Sequence, residues 1–269
     1  MTASEIASAA APARRRFAVP WKVVRILSFY GGLLLAWKLV ADAEIWPSYT
    51  LPAPETVWDT LRYNAEGGQL WEAFTVTMQR MLIGFSVSIL IGLTIGIAMG
   101  AVPWIDETVG SLVLGLLSLP SVTWFPLAVL WFGLNERAIV FVVCMGSLCS
   151  IAISARNGVR SIPPLLLRAS RMFGGRTWQR LGLVILPAML PSMVQGLKLG
   201  WSFAWRSLLA AELLYVNTSL GHLLSLGRDL NDVSQVIAIM LVIVAIGIVV
   251  DRVLFGRLEG WVQDRWGLA

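Results

Sequence analysis

A chain of 269 residues that is 57% hydrophobic and only 14% charged cannot clothe the surface of a soluble domain of its size. Its uncharged runs reach the roughly 20 residues that a bilayer crossing needs. The formal charge of +5 is carried mostly between apolar segments, which marks membrane topology and argues against a nucleic-acid surface. The same inventory excludes most chemistry. His222 alone builds no metal site, and Cys144 and Cys149 fall inside an apolar run as small packing residues. Lys22, Lys38 and Lys198 are followed by Val, Leu and Leu, so a phosphate-binding loop of the GxxxxGK(S/T) type is absent. No catalytic residue and no metal ligand set is expected.

Residues 1–20 are Ala-rich and basic, with Arg14, Arg15 and Arg16, and are expected to form a disordered tail; residues 21–269 form the membrane domain. The first apolar stretch runs from Val23 to Ala41. Ala41-Asp42-Ala43 has the small-x-small form of a cleavage site, but the stretch is long for a signal peptide and carries Lys38, so it reads as an uncleaved first helix. Residues 42–73 are polar and acidic, with a turn at Leu51-Pro52-Ala53-Pro54 and a short surface helix from Glu55 to Tyr63.

A second span is expected from Met81 to Val102. It carries Gly84, Ser88, Gly92, Gly96 and Gly100 at a spacing of four, which places all five on one helical face and makes a smooth stripe for a neighbouring helix of the same subunit. The third span, Val109 to Leu134, contains Pro120 and Pro126. The fourth covers Ala138 to Ala155, the fifth Met189 to Tyr215 and the sixth Val236 to Phe255. The expected class is all-α: a polytopic bundle of about six transmembrane helices.

Between the fourth and fifth spans lies a basic stretch, about 156–187, with Arg156, Arg160, Arg168, Arg171, Arg176 and Arg180. With the N-terminus on the cytoplasmic side, that side receives these arginines, the N-terminal cluster, and Arg252, Arg257 and Arg265. The far side receives Arg62, Arg137 and Arg228. This asymmetry puts both termini in the cytoplasm. Within the stretch, Leu166, Ala169, Ser170 and Phe173 share a helical face, Gly174 and Gly175 supply a stop, and a second short helix runs from Thr177 to Pro187. Two short helices broken by Gly-Gly form a projecting elbow.

Arg168-Ala169-Ser170, three residues, Gly174, nine residues and then Val184-Ile185-Leu186-Pro187 resembles the cytoplasmic loop Glu-Ala-Ala-x3-Gly-x9-Ile-x-Leu-Pro of bacterial ABC import permeases. Arg168 stands for the Glu and Ser170 for the second Ala. Leu51-Pro52-Ala53-Pro54, Trp124-Phe125-Pro126-Leu127, Leu130-Trp131-Phe132-Gly133, and Ala204-Trp205 with Ala211-Glu212 are similar to the nitrate/sulfonate/taurine branch. The resemblance implies a MetI-like permease fold in the bacterial inner membrane. It also implies a second permease copy, two ATP-binding subunits that hold the ATP and Mg, and an extracytoplasmic substrate-binding protein. No cofactor is implied in this chain. Arg168, Ala169, Ser170, Phe173, Gly174, Leu186 and Pro187 would form the ATPase-coupling surface.

For the translocation path of a small anion, the candidates are Lys198, Arg206 and Glu212, which are ionisable groups within a span, with Trp124 and Trp205 beside them. Lys198 and Arg206, eight residues apart, are expected on roughly one face. Arg206 would supply positive potential for an oxyanion; its structural alternatives are carbonyls freed by Pro120 or Pro126, or a pair with Glu212. A secondary transporter or channel independent of ATP is the other functional class, and would transport alone in liposomes. A membrane enzyme would need clustered reactive groups that the sequence lacks. At the elbow, Gly174→Leu is expected to uncouple ATP hydrolysis from transport or to stop subunit assembly, as measured by co-purification and uptake in vesicles.

Overall fold

The computed structural model describes residues 21–172 and 177–266. The tail expected over residues 1–20, and Phe173, Gly174 and Gly175 of the elbow, lie outside the described residues. The described residues form two units that part between Glu55 and Thr56. In the first, α1 (Trp21–Asp42) presents bare apolar faces on every side, as a lipid-facing helix does. The loop after it folds back onto the helix end. Trp37 Nε1 donates to the Pro52 carbonyl at 3.1 Å, and Lys38 pairs with Glu55, whose carboxyl that bond holds below its ordinary range.

The second unit is built around α6 (Glu136–Arg160), the most buried of the long helices. After the surface helix α2 (Pro54–Glu66), Gly68 takes a left-handed turn, φ 77°, and opens α3 (Gln69–Ala101). The expected small-residue stripe of α3 lies directly against α6. A Cβ added to Gly84 would sit 2.7 Å from Val143, one on Gly92 3.0 Å from the Leu148 carbonyl, and one on Gly100 2.6 Å from Val159; one on Gly96 would collide with the Ala152 carbonyl. Ser88, the one non-glycine in the series, donates to the Cys144 carbonyl at 3.1 Å and accepts from Ser147 at 2.7 Å. Such close backbone approach gives dispersion contact where lipid supplies no hydrophobic drive between helices.

These contacts rise together in number, 84 with 143 and 100 with 159, so α3 and α6 run parallel. The chain must therefore cross once between them. It does so through α4 (Pro103–Leu117) and α5 (Trp124–Phe132), the latter entered through the tight turn Ser121–Thr123, with a 95° bend at the break. The continuous third span expected from Val109 to Leu134 is thus a broken one. Pro120 donates no N–H, and its ψ of 127° takes the chain out of the helix. Gly133, φ 78°, ends α5, and Asn135 caps α6 by accepting from the Arg137 N–H at 2.9 Å.

After α6, α7 (Pro164–Met172) carries the first part of the elbow. The second short helix expected from Thr177 to Pro187 is not separate: the turn Thr177–Arg180 runs directly into α8 (Leu181–Glu212). Pro187 does not end it, because the wide turn Leu181–Ile185 lies just before it and Pro187 falls in the first turn of the regular helix, where its missing N–H costs little. α8 runs antiparallel to α6, with Gly146 against Ser207, Gly200 against Ile151 and Gly158 against Met189. α9 (Leu220–Asp229) and α10 (Val233–Trp266) complete the unit. With the bent pair taken as one crossing, six apolar spans follow among the described residues.

Gly96→Leu should cost about 1–3 kcal/mol or more through overpacking against Ala152 and Ala155. Gly247, with nothing near its virtual Cβ, should accept Ala without loss. Thermal unfolding of the two detergent-purified variants checks the contrast.

Candidate functional site

Three polar assemblies stand out in the apolar bundle, and each ties different helices. The first gathers at the end of the bundle where α3 and α6 begin and α8 ends. Glu212, 0% exposed, accepts from Arg80 Nη1 at 3.1 Å, from the Thr77 hydroxyl at 3.0 Å and from the Gly221 N–H at 3.2 Å. Thr77 in turn accepts from the Leu220 N–H at 3.0 Å. Arg80, itself buried, reaches Glu136 through Nη2 at 3.2 Å and lies 5.7 Å from the centre of the Tyr215 ring. Three helices, α3, α8 and α9, therefore converge on one carboxylate, and α6 joins them through Glu136 on Arg80. Gly221 has no room for a side chain, since its Cβ would strike Glu212.

Glu212 is thus saturated by groups of its own subunit, and its partner is Arg80, which the sequence reading missed by starting the second span at Met81. The signal was present: Leu70, Ala73, Thr77, Arg80 and Gly84 alternate steps of three and four, so Arg80 continues the buried stripe.

The second assembly joins α8 to α10. Lys198 lies 3.3 Å from both Asp251 and Glu259. Lys198 and Arg206 were expected on roughly one face; instead they face different neighbours. Eight residues advance a helix by about 80° beyond two full turns, enough to turn Lys198 to α10 and Arg206 elsewhere.

Arg206 lines an open groove of about 410 Å³, formed with Leu116, Ser118, Pro120, Ser121 and Gly146 of α4, α6 and the bend. Its guanidinium is exposed, donates to the Ser202 carbonyl at 3.1 Å and hydroxyl at 3.2 Å, and stands 5.3 Å from the centre of the Phe203 ring. Among the described residues no carboxylate pairs with it. Trp205 is buried in the core, and Trp124 packs edge-on against Phe141 at 6.2 Å. Of the five residues named for the path, the groove brings in Arg206 alone.

The third assembly lies at the other end of the bundle. Asp106, in the first turns of α4, pairs with Arg156 and with Arg160 Nη2 at 2.6 Å. Beyond Arg160 the elbow begins. Arg168 is exposed, while Ala169 and Ser170 are half-buried. Leu186 packs with Ala155, Val159 and Met189, and Pro187 follows it half-buried.

The Arg80–Glu212 pair is the most costly to break singly. Arg80→Met leaves a buried carboxylate with neutral donors only and should destabilise the protein by about 3–5 kcal/mol. Arg206→Met, at an exposed position, should shift thermal unfolding little. Melting of the purified variants in one detergent compares them.

Residues 88–258 match the family model described as "Binding-protein-dependent transport system inner membrane component". A Methanocaldococcus jannaschii protein assigned as an ABC transporter permease is 31% identical over 224 residues, 81% of this chain and 84% of that one. The taurine transport system permease of Escherichia coli is 29% identical over 260 residues, covering 92% and 94%. The bicarbonate transport system permease of Synechocystis is 25% identical, covering 82% of each chain. In three dimensions the chain resembles a chain of the inward-facing MetNI methionine ABC transporter, with a TM-score of 0.60 at 20% identity over 72% of this chain and 94% of that one, which shows the same fold. With the family match spanning most of the bundle from Ser88 onward, the chain belongs to the inner membrane components of binding-protein-dependent transport systems.

Proposed function

We propose that this permease subunit forms half of the path for a small oxyanion, of the sulfonate, taurine, nitrate or bicarbonate class, in an ATP-driven importer. The observation that carries the anion reading is Arg206. It is a guanidinium within an apolar span, exposed on a groove and without a carboxylate partner among the described residues. A cation in that position cannot face lipid at low cost, so this face looks onto an aqueous path. Guanidinium geometry suits a planar or tetrahedral oxyanion. The taurine and bicarbonate permeases among the relatives support the same class of cargo.

In this reading the subunit pairs with a second copy, and two ATP-binding subunits holding ATP and Mg dock on the elbow around Arg168 and Gly174. A binding protein delivers cargo to the opposite side. With the basic stretch from Arg156 to Arg180 on the cytoplasmic side, the Lys and Arg bias of the loops puts both termini there too.

Arg206→Gln, in the full complex reconstituted in liposomes, should raise the KM for uptake by about ten- to a hundredfold, the worth of a hydrogen bond to a charged group. Arg206→Lys should retain part of the affinity. Unchanged uptake kinetics in a fully assembled Arg206→Gln complex would remove the anion role.

A further inference from the structure

The Asp106 assembly lies outside every role so far assigned, and it occupies a mechanically distinctive position. Both feet of the elbow stand on the last turns of α6. On the outgoing side only residues 161–163 separate Arg160 from α7, and Ile162 among them is buried. The link is tied back by the Ser161 N–H, which donates to Asn157 at 2.9 Å. On the returning side Leu186 packs on Ala155 and Val159. A displacement of the elbow therefore reaches the α6 end through short connections at both feet.

That α6 end is joined to α4 through one carboxylate. Asp106 accepts from Arg156 Nη2 at 2.7 Å and from Arg160 Nη2 at 2.6 Å, so two successive turns of α6 hold one residue of α4. Asp106 sits in a wide turn, Asp106–Gly110, and Gly110 makes room for it, because a Cβ there would lie 2.9 Å from its Oδ1. About ten residues further along α4, roughly 15 Å at the helical rise, Leu116, Leu117 and Ser118 form one wall of the Arg206 groove, followed at once by the bend at Pro120.

We infer that Asp106 is a positioning residue that passes elbow movement to the groove: with Arg156 and Arg160 it fastens the α6 end to the foot of α4, so that α4 moves with the elbow and its far end reshapes the groove wall. The inference rests on the elbow being the ATPase docking surface. A rigid helix fastened at its foot carries displacement along its length, whereas the apolar contact of Val113 with Met99, Cys149 and Ala152 lets it slide. Two charge-assisted bonds to different turns resist that sliding in both directions.

The test uses the assembled transporter in liposomes and reads cargo moved per ATP hydrolysed. Asp106→Asn should assemble and keep its basal ATP hydrolysis, while cargo moved per ATP falls about tenfold, within the range of coupling energies between linked sites. Asp106→Glu should restore the ratio. Arg160→Gln, at a half-exposed position that threatens folding less, should give the same defect in milder form. An unchanged ratio in both Asp106→Asn and Arg160→Gln, or a loss of transport and hydrolysis in equal proportion, would overturn the inference. Arg168→Cys separates this failure from that of the docking reading. If it cross-links to the ATPase subunit while the ratio stays normal, only the Asp106 link falls; if it does not cross-link, both fall.

Discussion

Everything in the bundle hangs on how closely α6 can be approached from two sides. Small residues on α3 meet one face and glycines shared between α6 and α8 open the other, until side chains of neighbouring helices occupy the space a Cβ would need. In a bilayer this proximity substitutes for the hydrophobic drive that water would provide. It also decides topology. Two helices packed in parallel in one chain force a single crossing between them, and that crossing is the bent α4–α5 pair which frames the Arg206 groove.

Polar groups then sort by what the packing leaves them. Where helices converge, ionisable groups are consumed internally: Glu212 by Arg80 and Thr77, Lys198 by Asp251 and Glu259. Where the bend pushes the chain outward, Arg206 keeps an exposed guanidinium. An ionisable residue in a span is therefore no marker of a path by itself. The deciding property is whether the surrounding helices supply its counter-charge.

What the sequence discloses follows the range of the interactions involved. The stripe from Gly84 to Gly100 and the alternation of apolar and basic segments are local patterns with a direct physical reading, and the structure has them as expected. The spacing from Arg168 to Pro187 is also local, although α7 and α8 differ from two separate short helices because the wide turn before Pro187 keeps the helix unbroken. The Arg80–Glu212 pair joins residues 132 apart, and no periodicity within either helix names the partner. Asp106 was overlooked for the same reason. Its meaning lies in Arg156 and Arg160, fifty residues on, not in its apolar neighbours.

The buried pair also bears on how the protein is made. Arg80 enters the membrane well before its partners exist: Glu136 follows after 56 residues and Glu212 after 132. At about 5–20 residues per second of synthesis, the arginine spends several seconds without either carboxylate and longer still before the final one arrives. Through that interval α3 is a span with an unneutralised cation near its end, held by the aqueous interface or the insertion machinery. Completion of α8 removes the charge from that interface, so the last turn of α8 completes the insertion of a helix begun far earlier.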